Sequence, residues 1–89
     1  MLSRLGITVS GRVQGVGFRM WVLHHARAFG LTGFVTNQRD GSVYLEAQGA
    51  PDRLNELLKA CREGPPRSRV ESVLTQEIPP FESSGFNIR

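Results

Sequence analysis

Cysteine is almost absent from this chain: Cys61 is the single thiol in 89 residues. That excludes an internal disulfide, a CxxC pair and a thiolate metal cluster. Packing alone must hold the fold, which suits a reducing cytosol, and a cytoplasmic location is the expectation. Long hydrophobic runs are missing as well. The longest, Met20 to Leu23, is too short for a membrane span or a signal-peptide core. Lysine is reduced to Lys59 against ten arginines, and those are interleaved with six glutamates and two aspartates. The net charge of +3 therefore favours anionic partners in general and names none. The two histidines, His24 and His25, would point about 100° apart on a helix and cannot chelate one metal from one face. No metal site and no membrane partner are expected.

The chain that remains is one small domain, residues 1–89, with no repeat, linker or low-complexity segment. Leu5, Ile7 and Val9 alternate with Gly6, Thr8 and Ser10, the period of a half-buried strand. A glycine-rich stretch, Gly11 to Gly17, interrupts that pattern. From Phe18 the apolar spacing becomes helical through Val22, Ala26 and Phe29, with Leu23 beside them and Gly30 as the stop. Thr32 to Asn37 and Val43 to Ala47 read as strands around a turn at Asp40-Gly41. Pro51 opens a second helix whose stripe is Leu54, Leu57, Leu58 and Cys61, ended by Gly64-Pro65-Pro66. A strand over Arg69 to Ile78, a loop through Pro79-Pro80 and Ser83-Ser84, and a short strand at Phe86 to Arg89 close the chain. The order βαββαβ predicts an α+β, ferredoxin-like sandwich, two helices packed on one face of a four- or five-stranded antiparallel sheet.

Chemistry concentrates in Gly11 to Arg19. Glycines let successive amides approach a ligand closely, and a loop entering a helix N-terminus can form an anion-binding nest. Arg19 adds a planar fork of donors suited to phosphate oxygens. A dinucleotide fingerprint would need glycine at position 20 after Gly15 and Gly17, where Met20 stands. A Walker loop would need Lys followed by Ser or Thr, and no Lys precedes Lys59. On these residues alone, an anion cradle and a ligand-free βα turn stand side by side. Asn37, just before the hairpin, is ordinarily a turn residue satisfying its own backbone. Its amide nevertheless offers the donor and acceptor that orienting a water molecule requires. Cys61 and Trp21 read as packing residues, Tyr44 likewise, and Asp52 with Glu56 as a solvated helix face.

Val9-x-Gly11-x-Val13-Gln14-Gly15-Val16-x-Phe18-Arg19 resembles the phosphate-loop signature of the acylphosphatases. Gly33-Phe34-Val35-Thr36-Asn37, followed by Gly41-x-Val43, Gly49 and the closing Phe86-x-Ile88, extends the resemblance over essentially the whole chain. It implies metal-free, cofactor-free hydrolysis of acyl phosphates to a carboxylate and inorganic phosphate. It also implies a ferredoxin-like sandwich. Carried onto this sequence, it places phosphate binding on Gln14, Gly15, Val16, Gly17 and Phe18, with Arg19, and water positioning on Asn37. Thr36 and Gln38 depart from the family pattern beside that asparagine. They are expected to touch substrate preference or stability more than the reaction. Whether the carboxylate of Arg89 approaches Arg19 is left open by the sequence.

The alternative reading is a non-catalytic ferredoxin-like module binding phosphate-containing ligands or RNA. RNA-recognition domains share the element order, but they stack bases on adjacent strand aromatics, and the first strand here has none. No nucleic-acid partner is therefore expected. Acylphosphatase-like domains also begin hydrogenase-maturation carbamoyltransferases, which continue into cysteine-rich zinc segments. With one cysteine and an end at Arg89, a free-standing, monomeric enzyme is the expectation.

Overall fold

The computed structural model describes residues 2–89. The elements run β1 (Ser3–Arg12), α1 (Phe18–Ala28), β2 (Thr32–Asn37), β3 (Val43–Gly49), α2 (Pro51–Glu63), β4 (Arg69–Ile78) and β5 (Phe86–Ile88). The sheet order is β4-β1-β3-β2-β5. β1 pairs antiparallel with β3 and β4, and β2 antiparallel with β3. The expected all-antiparallel sheet is corrected in one pair: β5 runs parallel to β2, with Phe86 opposite Gly33 and Ile88 opposite Val35. The loop after β4 crosses the sheet and brings the last strand in from the far edge. Among the described residues no helix is long and apolar enough to cross a membrane.

Strand alternation and helical periodicity meet in one core. Ile7, Val9, Val35, Val43, Leu45 and Ala47 point from the sheet to Phe18, Val22 and Ala26 of α1 and to Leu54, Leu57 and Cys61 of α2. α1 ends as its glycine signal predicts: Gly30 takes φ 70°, and Leu31 N–H reaches back to the Ala26 carbonyl at 2.9 Å. Trp21 does more than fill space. Its Nε1 donates to the Ala60 carbonyl at 2.8 Å, tying α1 to the last turn of α2. Burial pushes the Cys61 thiol up to about 12, so it acts as a core residue.

The face of the sheet away from the helices holds a charge cluster that strand alternation does not reveal. Arg4 is only 2% exposed. Its Nε and Nη2 donate to Glu46 Oε1 at 3.0 and 2.8 Å, and Nη1 donates to Gln48 Oε1 at 3.3 Å. The Phe81 ring lies 4.0 Å from the guanidinium. Gln48 grips the backbone of Phe81 on both sides, at 2.7 and 3.0 Å, so the loop after β4 folds over the cluster like a strap. Tyr44 OH completes it by donating to Glu46 Oε2 at 2.8 Å.

These contacts contribute to the pH dependence of stability. Burial, then the Glu46 hydrogen bond, pushes Tyr44 up to about 12. At Glu46 burial opposes the charge, but hydrogen bonds from Tyr44 and Arg4 outweigh it and hold the carboxyl below its usual value. The Glu46 contribution is complete above the ordinary carboxylate pKa and drains away as pH falls through the lower folded value. That of Tyr44 is complete below about 10 and is lost as pH rises towards the folded value. Urea unfolding across pH should show Glu46→Gln flattening the acid limb and Tyr44→Phe the alkaline limb. Arg4→Met leaves Glu46 without its cation and should cost about 3 kcal/mol at neutral pH, partly recovered in Arg4→Met/Glu46→Leu.

Candidate active site

The approach to the site begins inside β1. The β1–β4 register shifts between Ser10 and Gly11, and Gly11 has φ 125°. A Cβ at Gly11 would collide with the Arg69 carbonyl, so glycine here permits a close backbone pass. Gly11 is thus a bulge residue of the strand rather than the first residue of the cradle, which corrects the expected start of the loop.

The cradle itself is strung between two buried side chains, Val13 and Phe18, each 1% exposed. Between them Gly15 and Gly17 take φ 74° and 84°. A Cβ at either would meet nothing within 4 Å, so backbone conformation alone selects glycine. Val16 turns inward and packs against the core. Gly17 is the N-cap of α1 and supplies no side-chain cap, and the first turn carries no acidic residue. The first helical bond runs from Trp21 N–H to the Gly17 carbonyl at 3.0 Å. The amides of Phe18, Arg19 and Met20 therefore precede it and have no partner within the helix. A left-handed turn feeding an uncapped helix start is a site for an anion.

Gly15, Gly17, Phe18, Arg19 and Asn37 line one cleft of about 250 Å³, walled by Val13, Met20 and Ile88. The structure thus joins the two sequence motifs. Arg19 is exposed at the mouth. The ion pairs among the described residues are Arg4–Glu46 and Glu56–Lys59, which leaves the Arg19 guanidinium without a carboxylate partner. Arg89 points elsewhere: its guanidinium lies 3.8 Å from the Phe34 ring centre and its amide donates to the Val35 carbonyl at 2.8 Å. That stacking covers one side of the Phe34 ring, which also packs against Tyr44 of β3.

Asn37 sits at the end of β2 opposite Val43, and its Oδ1 is buried without a hydrogen-bond partner. A turn asparagine satisfying its own backbone would not leave that acceptor free. Gln14 behaves differently from its neighbours. Its Nε2 donates to the carbonyls of Gln38 at 2.7 Å and Ser42 at 2.9 Å, so its side chain faces away from the cleft and pins the β2–β3 hairpin to the cradle. Within that hairpin Asp40 accepts from Ser42 Oγ at 2.6 Å and from its N–H at 2.9 Å, and these bonds hold the Asp40 carboxyl below its usual range.

Val13, Met20 and Ile88 were not singled out from the sequence as site residues. Ile88 reaches the cleft only through the parallel pairing of β5, which local patterning does not encode. No Asp, Glu, His, Cys, Ser, Thr, Tyr or Lys lines the cleft. Among the described residues no three His, Cys, Asp or Glu converge as a metal-binding set. His24 is exposed outside the cleft, and His25 Nδ1 lies 2.8 Å from the Trp21 carbonyl. The cleft brings open helix-start amides, an unpaired guanidinium and a buried, unpartnered amide oxygen together, and no side chain suited to covalent chemistry lines it.

Comparison with known proteins shows the family. The sequence profile of the acylphosphatase family matches residues 5–88. The chain is 50% identical over 72 residues to an acylphosphatase of Bradyrhizobium diazoefficiens, covering 81% of this chain and 73% of that protein. It is 46% identical over 91 residues to an acylphosphatase of Caldivirga maquilingensis, covering 97% and 93% of the two. Among solved structures, an acylphosphatase from Coxiella burnetii superposes with a TM-score of 0.95 at 40% identity, covering 99% of this chain and 93% of that one.

The cradle's backbone makes a separable prediction. Gly15→Ala and Gly17→Ala should each cost about 1–2 kcal/mol in urea unfolding despite the open space around them, because alanine resists positive φ. Gly17→Asn, which tolerates that conformation, should recover most of the loss. Gln14→Leu leaves two hairpin carbonyls short of a donor and should cost about 1–3 kcal/mol in the same measurement.

Proposed function

The chain belongs to the acylphosphatase family and is a hydrolase of that kind, and from this premise we propose how its own residues cleave an acyl phosphate. Residues 1–89 act as one unit. The phosphoryl oxygens sit against the backbone amides of Gly15 to Arg19, and the Arg19 guanidinium neutralises them from the mouth of the cleft. Gln14, Val16 and Phe18 contribute through backbone and packing, since their side chains serve the hairpin and the core. Asn37 Oδ1 accepts a hydrogen bond from water and turns its lone pair towards phosphorus.

Water oxygen then bonds to phosphorus while the bond from phosphorus to the acyl oxygen breaks, its electron pair leaving on the carboxylate. A carboxyl group ionises near pH 4, so the leaving group needs no proton at neutral pH. The water's proton passes to a phosphoryl oxygen, which makes the substrate its own base. Phosphoryl transfer is largely dissociative, so positioning and charge stabilisation carry most of the rate. Amides already fixed by Val13 and Phe18 need no rearrangement as charge develops. The reading asks for no cofactor and no second subunit.

The observation that carries this reading is the buried, unpartnered Oδ1 of Asn37 in the same cleft as the open amides and the unpaired Arg19. Hydrolysis of benzoyl phosphate in excess EDTA tests it. Wild-type turnover should be unaffected by EDTA, and Arg19→Ala and Asn37→Ala should each lower kcat by about 10²–10³. Arg19→Lys, which keeps the charge but loses the fork, should recover only part. Folded wild-type protein that binds phosphate but turns over nothing would support the binding-module alternative instead.

A further inference from the structure

Met20 lines more than the cleft. That side chain, 60% exposed, also forms one end of a larger groove of about 410 Å³, whose remaining lining is Leu23, His24, Arg27 and Ala28. All five residues lie on α1. Helical spacing puts Met20, His24 and Arg27 on one face, at i, i+4 and i+7. With a rise of about 1.5 Å per residue, Arg27 stands about 10 Å along the axis from Met20.

The lining changes character along that length. Next to the cradle it is apolar, through Met20 and Leu23, and further on it presents His24 and Arg27. Arg27 is anchored there, since its Nε donates to the Phe86 carbonyl at 3.2 Å, which leaves its Nη groups available. No Asp or Glu lines either cavity, and α1 contains none. A ligand running from the cradle into the groove would meet aliphatic surface first and cationic or neutral donors second.

We infer that this groove is the acyl subsite and that it favours acyl phosphates whose acyl chain ends in a carboxylate. The inference rests on the proposed use of the cradle for the phosphoryl group. With phosphate held at Gly15, Gly17 and Arg19, the acyl chain leaves past Met20. A six-carbon dicarboxylic chain then carries its far end past His24, one turn on, and towards the Arg27 guanidinium beyond it. The guanidinium plane matches a carboxylate, which a neutral chain of the same length does not offer.

Adipyl phosphate and hexanoyl phosphate have chains of equal length and differ by that terminal carboxylate, so they test the subsite directly. Wild type should favour adipyl phosphate in kcat/KM by about two- to fivefold, the range for a partly exposed charge contact, and the preference should lie in KM. Arg27→Gln and His24→Gln should each lower the adipyl-to-hexanoyl ratio, with kcat for the two substrates moving together. His24 is exposed and makes no structural hydrogen bond, so its variant carries the test even if Arg27→Gln is destabilised by losing Phe86. A wild-type ratio near one, or a ratio that neither variant changes, overturns the subsite while leaving the proposed hydrolysis intact. Folded wild type that hydrolyses neither substrate overturns the hydrolytic reading itself.

Discussion

A chain reversal pinned at both ends by burial is the constraint on which the rest of the molecule depends. Val13 and Phe18 are locked into the core, and the four residues between them must turn from a strand into a helix. Only a turn with positive φ at Gly15 and Gly17 does so in that length here, and it leaves the amides facing outward. The cradle's rigidity is thus a by-product of core packing. The helices cover one face of the sheet, and their packing against Val9, Val43 and Leu45 is what holds the cradle in place.

Two arginines show how tertiary context divides one residue type between structure and chemistry. Arg4 is buried, doubly bonded to Glu46 and stacked on Phe81, and every part of its guanidinium is occupied. Arg19 is exposed, without a carboxylate partner, beside amides that have no helical acceptor. The first arrangement neutralises a charge so that it can be buried. The second leaves a charge unsatisfied where an anion can satisfy it. The same contrast separates Gln14 from Asn37. One amide spends its donor on two hairpin carbonyls, while the other keeps a buried acceptor free. Because Gln14 fastens the hairpin that follows Asn37, the first amide helps place the second.

Much of this was legible in the sequence, and the reasons are local. Period two in Leu5 to Ser10, helical spacing from Phe18 to Ala26, and the glycine and proline signals at Gly30, Asp40-Gly41 and Pro51 all act within a few residues. Each element therefore appears close to where those patterns place it. The glycines of the loop were readable for the same reason, since positive φ is a property of single residues. The Arg4 cluster was not. Arg4, Glu46, Gln48 and Phe81 lie far apart in sequence and meet only when β1 pairs with β3 and the loop after β4 returns across them.

The sequence by itself determined the element order, the glycine cradle with its helix start, and the candidates Arg19 and Asn37. Periodicity, turn chemistry and two short motifs carry that information without reference to distant partners. Only the tertiary structure decided that Gly11 belongs to a bulge against β4, that Gln14 holds the hairpin rather than facing the cleft, and that β5 adds in parallel beside β2. It also decided that Ile88 walls the cleft and that Met20 lines both the cleft and the groove along α1. Those outcomes depend on strand register and on which side chains are already paired, and both are settled only when segments remote in the chain pack together.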